Sequence, residues 1–105
     1  MNFNEFASWL NSYLTEKGYK LNSDNENQQY YLDAFSYFWI SYKGRIIYFH
    51  REYSSFHWSY LDFNTCPHPD IEVYMNLFKK LANEFMVKEK QRIMQVKLKK
   101  LNEDF

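Results

Sequence analysis

The sequence predicts an α+β domain: an N-terminal helix, a three-stranded antiparallel β-meander and a long C-terminal helix. Three observations carry that expectation. Apolar residues recur at helical spacing at both ends of the chain. Between them, residues 30 to 63 are rich in aromatic and β-branched side chains, which suit a pleated, half-buried surface. Within that stretch Lys43-Gly44 divides FWISY from RIIYF, as a hairpin turn does. At 105 residues there is room for one hydrophobic core and not two.

The first helix is expected over about residues 3 to 17. Phe3, Phe6, Ala7, Leu10, Tyr13 and Leu14 share a face, and Asn2 with Glu5 makes a capping box. Gly18 supplies the left-handed stop, with Tyr19 folding back on the last turn. NSDNENQQ, residues 22 to 29, reads as a polar loop with nothing to bury. Tyr19 to Leu21 is a candidate short edge strand before Tyr30 to Phe35.

A two-residue loop at Lys43-Gly44, with glycine providing positive φ, pairs Ile40 with Ile47 and Phe38 with Phe49. A second turn is expected at Tyr53-Ser54, pairing Phe49 with Trp58, Ile47 with Tyr60 and His50 with His57. Strand alternation then sends Phe38, Ile40, Ile47, Phe49, Phe56, Trp58 and Tyr60 toward the helices. The opposite face receives Tyr37, Trp39, Ser41, Ile46, Tyr48, His50, His57, Ser59 and Leu61. With only two helices available, that face stays open.

Pro67 and Pro69 end the sheet, and Pro69 suits the first position of the second helix. Ile71, Tyr74, Leu77, Phe78, Leu81 and Phe85 form a stripe that packs on the sheet. A second apolar line runs through Val87, Met94, Leu98, Leu101 and Phe105, on the opposite side of the helix. One straight helix cannot bury both lines in one core. The helix therefore either breaks near residues 86–90 or projects and meets something else. Residues 1–86 are read as the compact domain and 87–105 as a basic helical extension. The spacing of the second line suits a homodimer seam through Val87, Met94, Leu98 and Leu101, with Gln91 as a polar member.

Composition bounds the chemistry. A single cysteine, Cys66, excludes an intramolecular disulfide, and a reducing cytoplasmic setting is expected. No secretion signal is read at the N-terminus, and no stretch approaches the roughly 18 apolar residues of a membrane span. Phe, Tyr, Asn and Lys occur ten times each. All four have A/T-rich codons, so a low-GC bacterial or phage genome accounts for their number. Only their placement bears on function.

The stretch HREYSSFHWSY, residues 50 to 60, resembles an active site in composition. His50 and His57 facing each other across strands could share a cation with Glu52, Cys66 or His68. There is no CxxC or HExxH spacing, however, and no metal or other cofactor is expected. Cys66 beside His68, or Ser54 and Ser55, could be drawn as nucleophiles, but no glycine-rich loop or oxyanion turn presents them. The chain is read as a non-enzyme.

Two binding readings remain. The first is a protein-binding module from a low-GC bacterium, phage or mobile element, acting by stoichiometric binding to a partner protein and inhibiting it, host defence machinery being one such partner. Its contacts would be Tyr37, Trp39, Tyr48, His50, His57 and Leu61. The second is a nucleic-acid-binding accessory protein using sheet aromatics and the basic helix. Residues 79 to 101 carry eight Lys or Arg against two Glu, a net +6 in a chain of zero net charge. Lys97, Lys99 and Lys100 would be its phosphate contacts.

Overall fold

A computed structural model describes residues 1–66 and 68–103, the side chains of 102 and 103 excepted. Pro67 and Phe105, both invoked above, lie outside the described residues. The elements are helix α1 (Phe3–Lys17), strands β1 (Lys20–Ser23), β2 (Asn27–Leu32), β3 (Phe35–Ser41), β4 (Ile46–Phe49) and β5 (Ser59–Asp62), and helix α2 (Ile71–Glu103). The strands form one antiparallel sheet in sequential order. The fold is α+β, with five strands where the sequence reading expects three.

Local chemistry sets the ends of α1. Asn2 Oδ1 accepts from the Glu5 amide at 2.9 Å, and Glu5 returns the contact to the Asn2 amide at 3.3 Å. Gly18 takes φ 104°, its amide reaching Thr15 O and the Tyr19 amide reaching Leu14 O. That pair of bonds satisfies carbonyls which the helix end leaves open. Tyr19 then donates its hydroxyl to Ala82 O at 2.7 Å, tying the end of α1 to α2.

The two extra strands take in both ends of the stretch read as a polar loop: β1 overlaps the candidate edge strand at Tyr19 to Leu21, and β2 begins at Asn27, ahead of the aromatic stretch. Asp24 organises their turn: its Oδ1 accepts from the amides of Glu26 and Asn27, both at 2.9 Å. β1 is exposed along its whole length, so it needs ladder hydrogen bonds but no apolar face. β2 contributes Tyr30 and Leu32 to the core.

β3 and β4 pair in the expected register, with Phe38 opposite Phe49 and Ile40 opposite Ile47. The turn itself differs. Positive φ falls on Arg45 (55°), not on Gly44. Gly44 sits close against Ser41 instead: a Cβ there would stand 3.0 Å from Ser41 Oγ, so the hydroxyl would have to shift.

β4 and β5 do not pair as expected. Phe49 faces Ser59, Tyr48 faces Tyr60 and Ile47 faces Leu61. Residues 50 to 58, an odd number, separate the partners, so every β5 side chain lies on the face opposite to the expected one. A turn does exist at Tyr53-Ser54, with Ser54 at φ 60°, but it sits inside this longer loop. Leu61 and Phe63 therefore enter the core, and Phe56, Trp58 and Tyr60 do not.

The core lies between one sheet face and the two helices. α1 supplies Phe3, Phe6, Ala7, Leu10 and Leu14; α2 supplies Phe78, Leu81, Ala82 and Phe85. The first helical position falls to Ile71 and not to Pro69, and Asp70 caps the helix, accepting from the Val73 amide at 3.4 Å. From there α2 runs unbroken for 33 residues, about 50 Å, through the region where a break was an option. It sets the longest dimension of the molecule, 57 Å against 29 and 25 Å.

The core-facing stripe of α2 does not stop at Phe85 but becomes polar. Glu89 is buried, accepting from the Tyr53 hydroxyl at 2.5 Å and from Arg92 Nη2 at 2.5 Å. Arg92 also reaches Asp33 in the β2–β3 turn at 2.8 Å. The network clamps α2 to two turns at one end of the sheet. The Arg92 contact, followed by the Tyr53 hydrogen bond, holds the Glu89 carboxyl below its usual range, with burial opposing. Glu89→Ala leaves the Tyr53 hydroxyl without its acceptor and the guanidinium with Asp33 alone. The expected loss is about 2 kcal/mol, measured as a lower urea midpoint with an unchanged slope.

Candidate functional site

Nothing in the described fold is layered over the second face of the sheet. Its side chains shield one another instead. Gln29, Trp39, Tyr48 and Tyr60 form a row of directly opposed residues running from β2 to β5. The Trp39 indole stacks on Tyr48, with centroids 4.5 Å apart and planes 25° from parallel. Trp58, at the end of the β4–β5 loop, stands edge-on to both at 6.1 and 6.4 Å. Tyr60 adds a tilted contact to Tyr48 at 6.5 Å. Trp39 Nε1 donates to Asn27 Oδ1 at 2.9 Å, which fixes the orientation of the indole.

These rings remain partly accessible: Trp58 is 37% exposed and Tyr60 66%. Phe56, just ahead in the loop, is 87% exposed, leaving a phenyl ring in water beside the cluster. Charge is sparse. Asp62 turns to the Asn64 amide and side chain at 2.8 and 3.0 Å. Arg51, near the same edge, donates to Ser59 Oγ at 3.0 Å while its guanidinium lies 5.2 Å from the Phe49 ring centre.

Among the residues expected at a contact surface, Trp39 and Tyr48 occupy this face and are half-buried. Tyr37 does not. β2 pairs Tyr30 with Phe38 and then Tyr31 with Ser36, leaving Tyr37 as the extra residue of a β-bulge. The bulge turns Tyr37 into the core, 1% exposed, where it stacks on Phe85 at 4.8 Å and on Tyr53 at 5.8 Å. Leu61 is likewise a core residue, 3% exposed, because the β5 register is displaced by one.

The two histidines do not pair across strands. His57 is exposed in the loop. His50 is buried beneath Trp58, with ring centroids 4.0 Å apart, and edge-on to Tyr37 at 6.0 Å. Its amide donates to Tyr37 O at 3.1 Å. Among the described residues, no three His, Cys, Asp or Glu side chains gather as metal ligands. Cys66 is exposed and free. Residues 50 to 60 thus form a buried imidazole, a loop and an aromatic lid.

Three buried polar atoms around the bulge lack hydrogen-bond partners: Ser36 Oγ, the Tyr37 hydroxyl and His50 Nδ1. Ser54 lies close enough to Tyr37 to favour its ionised form, though not in hydrogen-bonding geometry; burial dominates and pushes the phenol up to about 12. Burial likewise lowers the His50 pKa. The unfolded chain takes up a proton near the ordinary value of about 6.5, whereas the folded chain resists it. Stability is thus full above that value and is lost as pH falls toward the depressed folded pKa. His50→Leu is expected to flatten the pH dependence of the urea-unfolding free energy over the weakly acidic range, where one such proton gives a slope of at most about 1.4 kcal/mol per pH unit. An unaltered slope would contradict the assignment.

Trp58, Tyr60 and Phe56 are the members of this surface that the register expectation misplaced. Asp62 carried the signal. The expected register points its carboxylate into the core beside Tyr60, while the observed one points Leu61 and Phe63 inward.

Val87, Met94, Leu98 and Leu101 lie on α2 with 55 to 63% of their surface exposed. Lys97, Lys99 and Lys100 are exposed on the same projecting segment. Among the described residues, no helix is long and apolar enough to cross a membrane. The fold and this surface define a two-layer α+β chain whose sheet is helix-backed on one side and aromatic on the other. Compared with known proteins, it matches no family model, no curated protein and no solved structure at a significant level.

Proposed function

We propose that this chain is a non-enzymatic protein-binding module that works in the cytosol by occupying a partner's surface with its uncovered sheet face. The observation that carries this reading is the cluster of Trp39, Tyr48, Trp58 and Tyr60, held in mutual contact with no layer over it. A contiguous aromatic patch of this kind marks a contact site, and Trp and Tyr are the side chains that dominate interface energetics. The fixed Trp39 indole and the ring-on-ring packing pre-order the surface, so little side-chain entropy is lost on binding. Stoichiometric inhibition is the simplest consequence of covering a partner. The excess of residues with A/T-rich codons suits a phage or mobile-element product of a low-GC host, directed at a host protein.

A nucleic-acid reading is favoured by one observation, the five lysines at 88, 90, 97, 99 and 100, all exposed on α2. The aromatic face offers it little, having no row of cations to follow a phosphate backbone. Affinity capture with the intact chain, beside Trp58→Ala and a Lys97, Lys99, Lys100 triple alanine variant, separates the two. The protein-binding reading expects a specific partner retained by the lysine variant and lost with Trp58→Ala. Steeply salt-dependent oligonucleotide binding that vanishes in the lysine variant would replace it with the second reading.

A further inference from the structure

The projecting half of α2 carries an apolar line that the sheet-face reading leaves unused. Successive residues advance by about 100° around a helix. On that count Val87, Met94, Leu98 and Leu101 lie within about 60° of one another, and opposite Phe78, Phe85 and Glu89, which face the sheet. The line is thus centred on the side of α2 turned away from its own domain. Two helices meeting along it would hold both domains on the outside, free of collision.

We infer that α2 pairs with α2 of a second copy as a short parallel coiled coil. Taking Val87, Met94 and Leu101 as d positions places Gln91 and Leu98 at a. A single polar a residue in a short seam is the known device for fixing register and two-strandedness. The flanking charges choose the direction. Lys90 and Lys97 occupy g, whereas Gln95 follows Lys88 at e. In a parallel pair, each g faces the partner's next e, which sets Lys90 against Gln95 and Asn83 against Lys88. In an antiparallel pair, g faces g, and Lys90 meets Lys97. The parallel arrangement places an amide opposite each of these lysines, where the antiparallel one opposes like charges.

The seam is short and its lysines are many, so the dimer is weak and salt-sensitive in an informative sense. Screening relieves the remaining repulsion, and the dimer tightens as salt rises. An interface with an acidic partner would instead loosen. The inference stands apart from the sheet-face reading, since no residue is shared between them. If both hold, each dimer displays two aromatic faces and binds a repeated partner with increased avidity.

Sedimentation equilibrium of the full chain over a concentration series tests it. The expected result is a reversible dimer of the 13.0 kDa chain, strengthened by salt. Leu98→Glu should be monomeric with an unchanged thermal midpoint, because residue 98 is remote from the core. Direction is read by cross-linking in a Cys66→Ser background. Val87→Cys should oxidise to a disulfide dimer, since parallel pairing brings residue 87 onto its own copy, while Val96→Cys, on the opposite side of the helix, should not. An antiparallel pair would separate the two 87 positions by about 20 Å. A monomer at every concentration, a dimer insensitive to Leu98→Glu, or faster cross-linking at 96 than at 87 would each overturn the inference.

Discussion

Phe78→Ala is expected to lower the unfolding free energy by about 3–5 kcal/mol, the largest loss any single truncation of this core should produce. Phe78 is fully buried at the point where three elements meet. Its ring lies 5.7 Å from Phe6 of α1, 6.0 Å from Phe38 of β3 and 4.8 Å from Phe49 of β4, and these contacts approach edge-to-face geometry. Alanine removes the transfer energy of a phenyl ring and leaves a void lined by three aromatic rings that cannot close on it. For a domain of this size the total stability is of the order of 5–15 kcal/mol, so the variant would lose a large share of it. Urea unfolding followed by far-UV circular dichroism measures the loss. A change below about 1 kcal/mol would mean that α2 does not seat on the sheet through this residue.

Trp58→Ala is expected to reduce affinity for the protein partner by at least about 30-fold, the 2 kcal/mol that defines a hot-spot residue. Trp58 leaves the β4–β5 loop, touches both Trp39 and Tyr48, and roofs His50. It is the largest partly exposed ring of the cluster not set within a strand. Truncation therefore removes a broad contact area and loosens its neighbours, while the opposite core face keeps its packing. The fold should lose much less than with Phe78→Ala. A further sign distinguishes this substitution: with its roof gone, His50 regains water, its pKa moves back toward the ordinary value, and the acid limb of the stability profile shrinks. Trp58→Phe should recover part of the affinity and restore part of that limb. Affinity unaltered by either substitution would remove this face from the interface.

How far the molecule is legible in its sequence depends on whether the deciding interaction is local. Both ends of α1 are written in adjacent residues, Asn2 with Glu5 and Gly18 with Tyr19, and they form as expected. The β3–β4 register follows from a loop with an even number of residues, so apolar residues on the two strands agree on a face. β1 and β2 are only partly legible, as a candidate edge strand at Tyr19 to Leu21 and an aromatic stretch from Tyr30, because the exposed tip of their hairpin is stabilised by its ladder and by the Asp24 turn, which leave no apolar period. The β5 register needed the length of a loop that has no strong turn residue to mark its corner. The bulge at Tyr37 depends on pairing with β2 and has no signature within β3 itself.

The same division holds for the candidate surface. Trp39 and Tyr48 were legible because they sit on the well-registered hairpin; Trp58 and Tyr60 were not, because they follow a loop whose odd length nothing in the sequence marks. On α2 the opposed apolar lines were readable, but the continuity of the helix was not. Glu89 and Arg92 look like surface charges in sequence, and only their contacts with Tyr53 and Asp33 show that the core-facing stripe continues as a polar clamp.

The central claim is that the indole at position 58 is partly exposed to solvent in the free chain and is covered when the partner binds. Acrylamide quenching of the fluorescence that the intact protein shows and its Trp58→Phe variant lacks reports that exposure directly. Ready quenching in the free protein that falls sharply on saturation with the captured partner is the result expected. An indole already shielded in the free chain, or one quenched equally in the complex, would contradict it.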